Sequence, residues 1–287
     1  MSEATEIAPS TSSDSIAAPA PAPSNIASDE VAASAVVDGW RVNLATLPAA
    51  VSAIIGAAKR SEGFSCLTLN LDHLVKLRSD AAFRKAYGQA RFVTADGAPV
   101  AAIARRQWPQ VERTTGADLL VPLCEAAARE GLPVFLFGTS TEVLERSAQE
   151  LRNKTGELIE FAGIEAPAMG FDPEGPAADA TIERIRASGA RLCFVMLGAP
   201  KQEFFAARAV AAGVNCGFIC VGAAADFVSG QQTRAPALVQ KAGLEWLWRL
   251  SQEPSRLWRR YLSCALLLAR IEISRLLQPM RSALRLW

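Results

Sequence analysis

Polar residues stand where short apolar segments of this chain end, and their types suit proton transfer and the binding of phosphate. Asp96 lies in Thr94-Ala95-Asp96-Gly97, where a carboxylate could act as a general base toward a hydroxyl group. Asp before Gly is also common in turns and helix caps, so both interpretations stay open at this stage. The positions after the other predicted strands are similarly polar, and they include Thr68, Asn70, Gly138, Gln202 and Asp226. In open α/β sheets such positions surround the ligand.

Two of these positions begin predicted helices. Gly138 ends an apolar run, and the spacing of Thr139 and Glu142 predicts a capping box, whose helix N-terminus could bind phosphate. An ordinary strand-to-helix turn explains the same pattern. The chain has neither a GxGxxG nor a Walker motif that would favour phosphate binding at this turn. In the segment 198–203, Pro200 suits a first helical turn and would bring Gln202 near the site. Solvated polar residues at a helix start are the alternative.

The sequence argues against a metal site and in favour of arginine. His73 is the only histidine, which excludes a site with two histidine ligands, and Asp-x-Asp does not occur. We therefore expect no metal and no cofactor. If the substrate is a diphosphate, arginine must supply the counter-charge, and its planar fork binds phosphate oxygens in pairs. The candidates are Arg113, Arg234, Arg249, Arg256, Arg259 and Arg260, although solvated helix faces also explain many arginines.

Charge is unevenly distributed along the 287 residues, although the formal net charge is only +1. Residues 1–35 contain five acidic residues and neither Lys nor Arg, whereas residues 231–287 contain ten basic and three acidic residues. A basic terminal block indicates an anionic partner, either nucleic acid or an anionic membrane surface.

The alternation of short apolar runs with longer helical patterns predicts a layered α/β fold. Continuously apolar runs are typical of strands covered on both faces of a parallel sheet. We predict strands near 64–70, 91–95, 133–137, 158–162, 191–197 and 214–221. The predicted organisation is a disordered acidic tail rich in Ala, Pro and Ser (1–38), an α/β core (39–230) and a basic helical appendage (231–287).

The appendage is predicted to contain helices near 236–252 and 255–277. In the second helix, the arginines at 256, 259, 260 and 270 share one narrow face. The opposite side is apolar, with Leu257, Trp258, Tyr261, Leu262, Ala265, Leu268 and Leu276. Such a helix can lie in a membrane interface, and it can equally pack on its own domain.

Further sequence features bear on the cellular location. The six cysteines lie mostly in apolar runs without a CxxC motif, as in buried residues of a reducing compartment. The first residues lack the pattern of a signal peptide, and the longest apolar stretch near the C-terminus is too short to span a bilayer. We therefore expect a cytoplasmic protein.

The order of motifs resembles that of the WecG/TagA/CpsF glycosyltransferase family. In chain order the matching segments are Thr68-Leu69-Asn70, Asp96-Gly97, Glu112-Arg113, Gly116 to Leu120, Val134 to Gly138, Gly198 to Glu203, Val221-Gly222, Asp226-Phe227, Gly230, Arg234 to Pro236, Gly243 to Leu250, Glu253 to Arg256 and Arg259 to Tyr261. Departures are Ala225 before Asp-Phe, Cys220 in place of a frequent Gly, and Phe204-Phe205 where Trp is frequent.

The resemblance implies a Rossmann-like parallel sheet sandwiched by helices and an inverting, metal-independent transferase. It implies a UDP-sugar donor and an undecaprenyl-diphosphate-linked acceptor, as in exopolysaccharide or other cell-surface glycan biosynthesis, with peripheral attachment to the inner face of the cell membrane. By position, Asp96 would be the base, and Arg113 and Gln202 would join it as catalytic residues. Thr68 and Asn70 would line the same pocket, with Gly138 and Asp226 near the nucleotide. The substrate would be bound by further arginines, at positions 234, 249, 256, 259 and 260. No nucleic acid partner is expected, and a homo-oligomer stays open.

Two other classes of function remain as alternatives. The first is a non-catalytic protein that binds nucleotides or nucleic acid with the same α/β core and basic end. The second is a structural partner in a membrane-bound polysaccharide assembly. Salt-sensitive DNA binding without affinity for UDP would favour the first, and absence of UDP-sugar hydrolysis or transfer would favour the second.

Overall fold

The structure is a computed structural model that describes residues 33–284, with the side chains of Lys241 and of residues 278–284 excepted. Most of the segment predicted to be a disordered tail, 1–38, therefore lies outside the described residues. Within its last residues the structure contains a strand, β1 (Ala35–Val37), which pairs antiparallel with β2 (Trp40–Val42). The described structure thus includes regular structure before the predicted boundary at 39.

A six-stranded parallel sheet forms the centre of the molecule and confirms the predicted fold class. Its strands are β3 (Phe64–Leu69), β4 (Phe92–Ala95), β5 (Val134–Gly138), β6 (Phe161–Glu165), β7 (Leu192–Met196) and β8 (Gly217–Cys220). Their order is β4-β3-β8-β7-β5-β6. The chain runs from β3 to the β4 edge and then crosses to β5 on the other side. Such a reversal leaves a crevice beyond the carboxyl ends of the strands.

Each of the six predicted strands overlaps a strand of the sheet, whereas β1 and β2 were not predicted. The strand predicted near 158–162 is found at 161–165, after a helix that ends at Thr155. Gly156 and Glu157 both have left-handed backbone conformations at the end of that helix, and Leu158 is 68% exposed. The chain rejoins the sheet only at Glu160, whose carbonyl accepts from the backbone N–H of Val134.

Helices cover both faces of the sheet. The helices up to residue 228 are α1 (Leu47–Lys59), α2 (Leu71–Ser79), α3 (Ala81–Gly88), α4 (Ala98–Arg105), α5 (Gly116–Arg129), α6 (Thr141–Thr155), α7 (Pro176–Ser188), α8 (Lys201–Ala211) and α9 (Ala224–Val228). One buried cluster lies under α2, α3, α4, α7 and α8, and the other lies under α1, α5, α6 and α9. This is the predicted sandwich.

Side-chain caps fix where several of these helices begin. Asn70 caps α2, and Thr115 forms a capping box with Asp118 at the start of α5. The capping box predicted from Thr139 and Glu142 is wrong. Ser140 caps α6 instead, because Thr139 has a φ of 36° and its hydroxyl lies 3.4 Å from a carboxylate oxygen of Asp226.

The C-terminal segment forms α10 (Ala237–Lys241), α11 (Glu245–Gln252) and α12 (Pro254–Leu284). The helix predicted for 236–252 is interrupted before Glu245, because Gly243 has a φ of 73°. The apolar side of α12 divides into two parts. One part turns inward where α12 packs on α2, and it contains Leu257, Cys264, Leu267 and Leu268. The other part remains exposed, and it contains Trp258, Leu262, Leu266, Ile273 and Leu276. In the described part of the chain, no helix is both long and apolar enough to cross a membrane.

Candidate active site

A cavity of about 670 Å³ lies beyond the carboxyl ends of β3, β4, β7 and β8, and α11 and α12 form one of its sides. It collects most of the residues selected from the sequence. Those that line it are Thr68, Asn70, Asp96, Arg113, Gln202, Asp226, Arg249, Arg256 and Arg260. Residues far apart in the sequence thus share one site, as required for catalysis at this sheet edge.

Asp96 is held in the wall by the register of two neighbouring strands. Leu69 pairs with Ala95, so the residues that follow them, Asn70 and Asp96, leave the sheet at the same level. The amide nitrogen of Asn70 lies 3.4 Å from a carboxylate oxygen of Asp96. Helix α4 is capped by Gly97 without a side-chain hydrogen bond, so Asp96 is not serving as the cap of that helix.

Burial changes the acidity of the Asp96 carboxyl group. It raises the pKa to about 6, while the hydrogen bond from Asn70 and the charge of Arg249 act in the opposite direction. A carboxylate with a pKa near 6 is still mostly ionised at neutral pH and is more basic than an ordinary aspartate. Both properties suit a general base.

A buried polar network lies beneath Gln202. Its amide oxygen accepts from the backbone N–H of Gly222 at 3.0 Å, and its amide nitrogen donates to Glu203 at 2.8 Å. Glu203 is almost fully buried, and burial raises its pKa to about 7. His73 lies beside it, hydrogen-bonded to Tyr87 at 3.0 Å, and burial lowers the pKa of His73 to about 3. Gln202 is therefore fixed from below, and the lone histidine packs as a neutral residue.

The cations of the cavity are matched by carboxylates. The lining includes five basic residues, Lys76, Arg113, Arg249, Arg256 and Arg260, and five acidic residues, Asp72, Asp96, Asp226, Glu245 and Glu253. Arg260 lies 3.2 Å from Asp72, which also pairs with Lys76, and Arg256 pairs with Glu253. An anionic ligand must therefore share or exchange partners with these ion pairs.

Three of the residues expected in the site do not line the cavity. Gly138 is not a lining residue, whereas its neighbour Thr139 is. Arg234 turns to Asp118, with which it forms a 2.6 Å ion pair. Arg259, which the helical projection groups with Arg256 and Arg260, has its guanidinium 5.2 Å from the ring of Trp258 on the outer surface.

Asp226 and Thr139 form the part of the wall that joins α9 to the start of α6. Burial raises the pKa of Asp226, and the Thr139 hydroxyl lowers it. The positions of the two residues agree with a site at the strand ends, which is where the sequence placed Asp226.

Sequence reasoning missed several lining residues. Asp72 and Lys76 reach the cavity from α2, Glu245 and Trp246 reach it from α11, and Glu253 reaches it from the junction between α11 and α12. A weak signal existed for Asp72 and Lys76, which follow Asn70 by two and six residues in the helix that Asn70 caps. Glu245 and Trp246 belong to a segment that the motif comparison included without assigning these residues a role.

In the described residues, no group of three or more His, Cys, Asp or Glu side chains could hold a metal ion.

The motif order, the parallel sheet and the polar cavity at its strand ends agree with one family. Residues 35–281 match the Glycosyl transferase WecG/TagA/CpsF family. This match covers most of the 287 residues and includes every cavity-lining residue named above. The protein therefore belongs to the WecG/TagA/CpsF family and is a glycosyltransferase.

Proposed function

We propose that this glycosyltransferase moves a sugar from a UDP-sugar to an undecaprenyl-diphosphate-linked sugar, with inversion and without a metal ion, at the inner face of the cell membrane. The observation that carries the proposal is the position of Asp96 in a cavity that also contains arginines and borders an exposed apolar helix face. Each feature corresponds to one part of the reaction.

The carboxylate of Asp96 supplies the base. In the proposed step, a hydroxyl oxygen of the acceptor sugar attacks the anomeric carbon of the donor, and its proton passes to Asp96. The bond between the anomeric carbon and the diphosphate oxygen breaks, and its electron pair leaves with UDP. Attack from the face opposite the leaving group inverts the anomeric configuration.

Arginines supply positive charge for the departing diphosphate. Arg113, Arg249, Arg256 and Arg260 line the same cavity as Asp96. Preorganised cations act strongly in a partly dehydrated site, and removing one donor to a developing negative charge typically costs about 10²-fold in rate. These residues come from both the core and the C-terminal helices, so the appendage completes the site.

The outer face of α12 suits a membrane-bound acceptor. Trp258, Leu262, Leu266, Ile273 and Leu276 are between 49% and 65% exposed. At 100° per residue, the cavity-lining Ala265 lies about 20° from Trp258 around the helix, so cavity wall and exposed stripe adjoin. Exposed Arg259 and Arg270 border the stripe and suit anionic lipid headgroups. A lipid-linked sugar could then enter while its chain stays in the bilayer.

A donor screen tests the proposal directly. The full-length protein would be incubated with a synthetic prenyl-diphosphate sugar and a panel of UDP-sugars, with and without EDTA, and products would be identified by mass spectrometry. We expect one UDP-sugar to add a single hexose or related unit, with equal yield in EDTA and inverted configuration by NMR. Transfer from none of the donors would refute the donor assignment, and loss of transfer in EDTA would refute the metal-independent mechanism.

A further inference from the structure

Glu245, at the start of α11, lies where three guanidinium groups converge. One of its carboxylate oxygens is 2.6 Å from Arg113, and the other is 3.6 Å from Arg234 and 3.7 Å from Arg249. The side chain of Glu245 is only 15% exposed. The three arginines belong to three different segments: the loop before α5, the connection after α9, and α11 itself. One carboxylate therefore joins the core to the C-terminal helices inside the cavity.

The network continues on the protein side of Glu245. Arg234 also binds Asp118 at 2.6 Å, and Asp118 closes the capping box of α5 with Thr115. Glu245 is thus linked through Arg234, at 3.6 Å, to the capped start of a core helix. This link distinguishes Glu245 from Glu253, whose partner Arg256 is exposed on the same C-terminal segment.

The contact with Glu245 leaves Arg113 able to bind a ligand. The bond uses one terminal nitrogen of Arg113, whose guanidinium carries five N–H donors, and Arg113 lines the cavity. Arg249 lines it as well. Without the carboxylate of Glu245, the positive charges of Arg113, Arg234 and Arg249 would repel one another. The side chains of Arg113 and Arg249 would also regain rotamer freedom. An anion would then have to order them on binding.

We propose that Glu245 is a positioning residue that holds Arg113 and Arg249 in place for the diphosphate of the donor. This inference rests on the proposed UDP-sugar donor. It differs from the simpler idea that Glu245 is only a structural ion pair between two parts of the chain. It also differs from the idea that Glu245 competes with the substrate anion, which predicts the opposite change in affinity.

The test compares UDP with uridine, because only UDP carries the diphosphate. Binding of each ligand to full-length wild type, Glu245→Gln and Glu272→Gln would be measured by ligand-observed NMR titration. Glu272 is a matched control, since it also joins the C-terminal segment to the core, through Arg106 at 2.8 Å, but lies outside the cavity. We expect Glu245→Gln to weaken UDP binding about tenfold and to leave uridine binding unchanged. Glu272→Gln should change neither.

The other outcomes are decisive. Unchanged or tighter UDP binding by Glu245→Gln would overturn the inference, and equal weakening of UDP and uridine would reduce Glu245 to a structural role. Glu245→Asp keeps the charge on a shorter stem and should give an intermediate UDP affinity, which retains the test if the Gln variant does not fold. Failure of the wild-type protein to bind UDP would instead refute the proposed function itself.

Discussion

Asn70 contacts Asp96 with one end of its side-chain amide and caps a helix with the other. Its oxygen accepts from the backbone N–H of His73 at 2.9 Å, which orients the nitrogen toward the carboxylate of Asp96 at 3.4 Å. The cap therefore determines which amide atom faces the proposed base. This arrangement couples the start of α2 to the acidity of Asp96.

Asn70→Ser should separate these two roles. Serine is a good helix cap, so α2 should stay intact, but the donor to Asp96 is lost. That hydrogen bond lowers the pKa of Asp96, so its loss should raise the pKa. The acidic limb of the pH-rate profile, expected near pH 6 in the wild type, should move upward by as much as about one unit. A limb that stays in place would show that the hydrogen bond does not tune the base.

Asp96→Asn should abolish most turnover without harming the fold. General base catalysis contributes about 10²- to 10⁴-fold, and we expect a loss in that range while UDP binding persists. Burial raises the pKa of the folded carboxyl to about 6, so ionised Asp96 opposes folding at pH 7.5. The melting temperature of Asp96→Asn should therefore equal or exceed that of the wild type. Asp179→Asn, at an exposed ion pair with Arg208, is the control and should keep full turnover.

Charge in the exposed stripe of α12 should release the protein from membranes. We expect Leu262→Glu and Leu266→Glu to reduce co-sedimentation with anionic vesicles, because an acidic side chain in an apolar interface is costly and is repelled by anionic lipid. Met169→Glu places the same charge at a fully exposed position elsewhere and should bind vesicles normally. Equal binding by all three variants would show that this stripe is not the membrane contact.

Gly138→Ala should destabilise the protein although Gly138 does not line the cavity. Its φ is 132°, and an added Cβ would lie 2.4 Å from the carbonyl oxygen of Met196 in the neighbouring strand. We expect a loss of about 2 kcal/mol or more in the free energy of unfolding, measured by denaturant titration. Gly88→Ala, where an added Cβ has open space, should be nearly neutral. A stable Gly138→Ala variant would contradict this account.

The sequence alone determined the local features of this protein. Continuous apolar runs such as 192–197 predicted buried parallel strands, because period and length are properties of a short segment. The ends of those strands predicted Asp96, Gln202 and Asp226 as site residues, because the carboxyl edge of a parallel sheet is where ligands bind. The order of motifs predicted the family, and the match over 35–281 confirmed it.

Only the tertiary structure decided which side chains meet. Arg256, Arg259 and Arg260 share a helix face in projection, yet packing of α12 against α2 places the first and third in the cavity and Arg259 against Trp258. The role of Glu245 was likewise invisible, since it depends on contacts with Arg113, 132 residues earlier in the chain. Such contacts follow from strand order and helix docking, which are set by the whole core. A sequence records the types of the charged groups, whereas their pairing depends on distances of a few ångströms that only the folded chain defines.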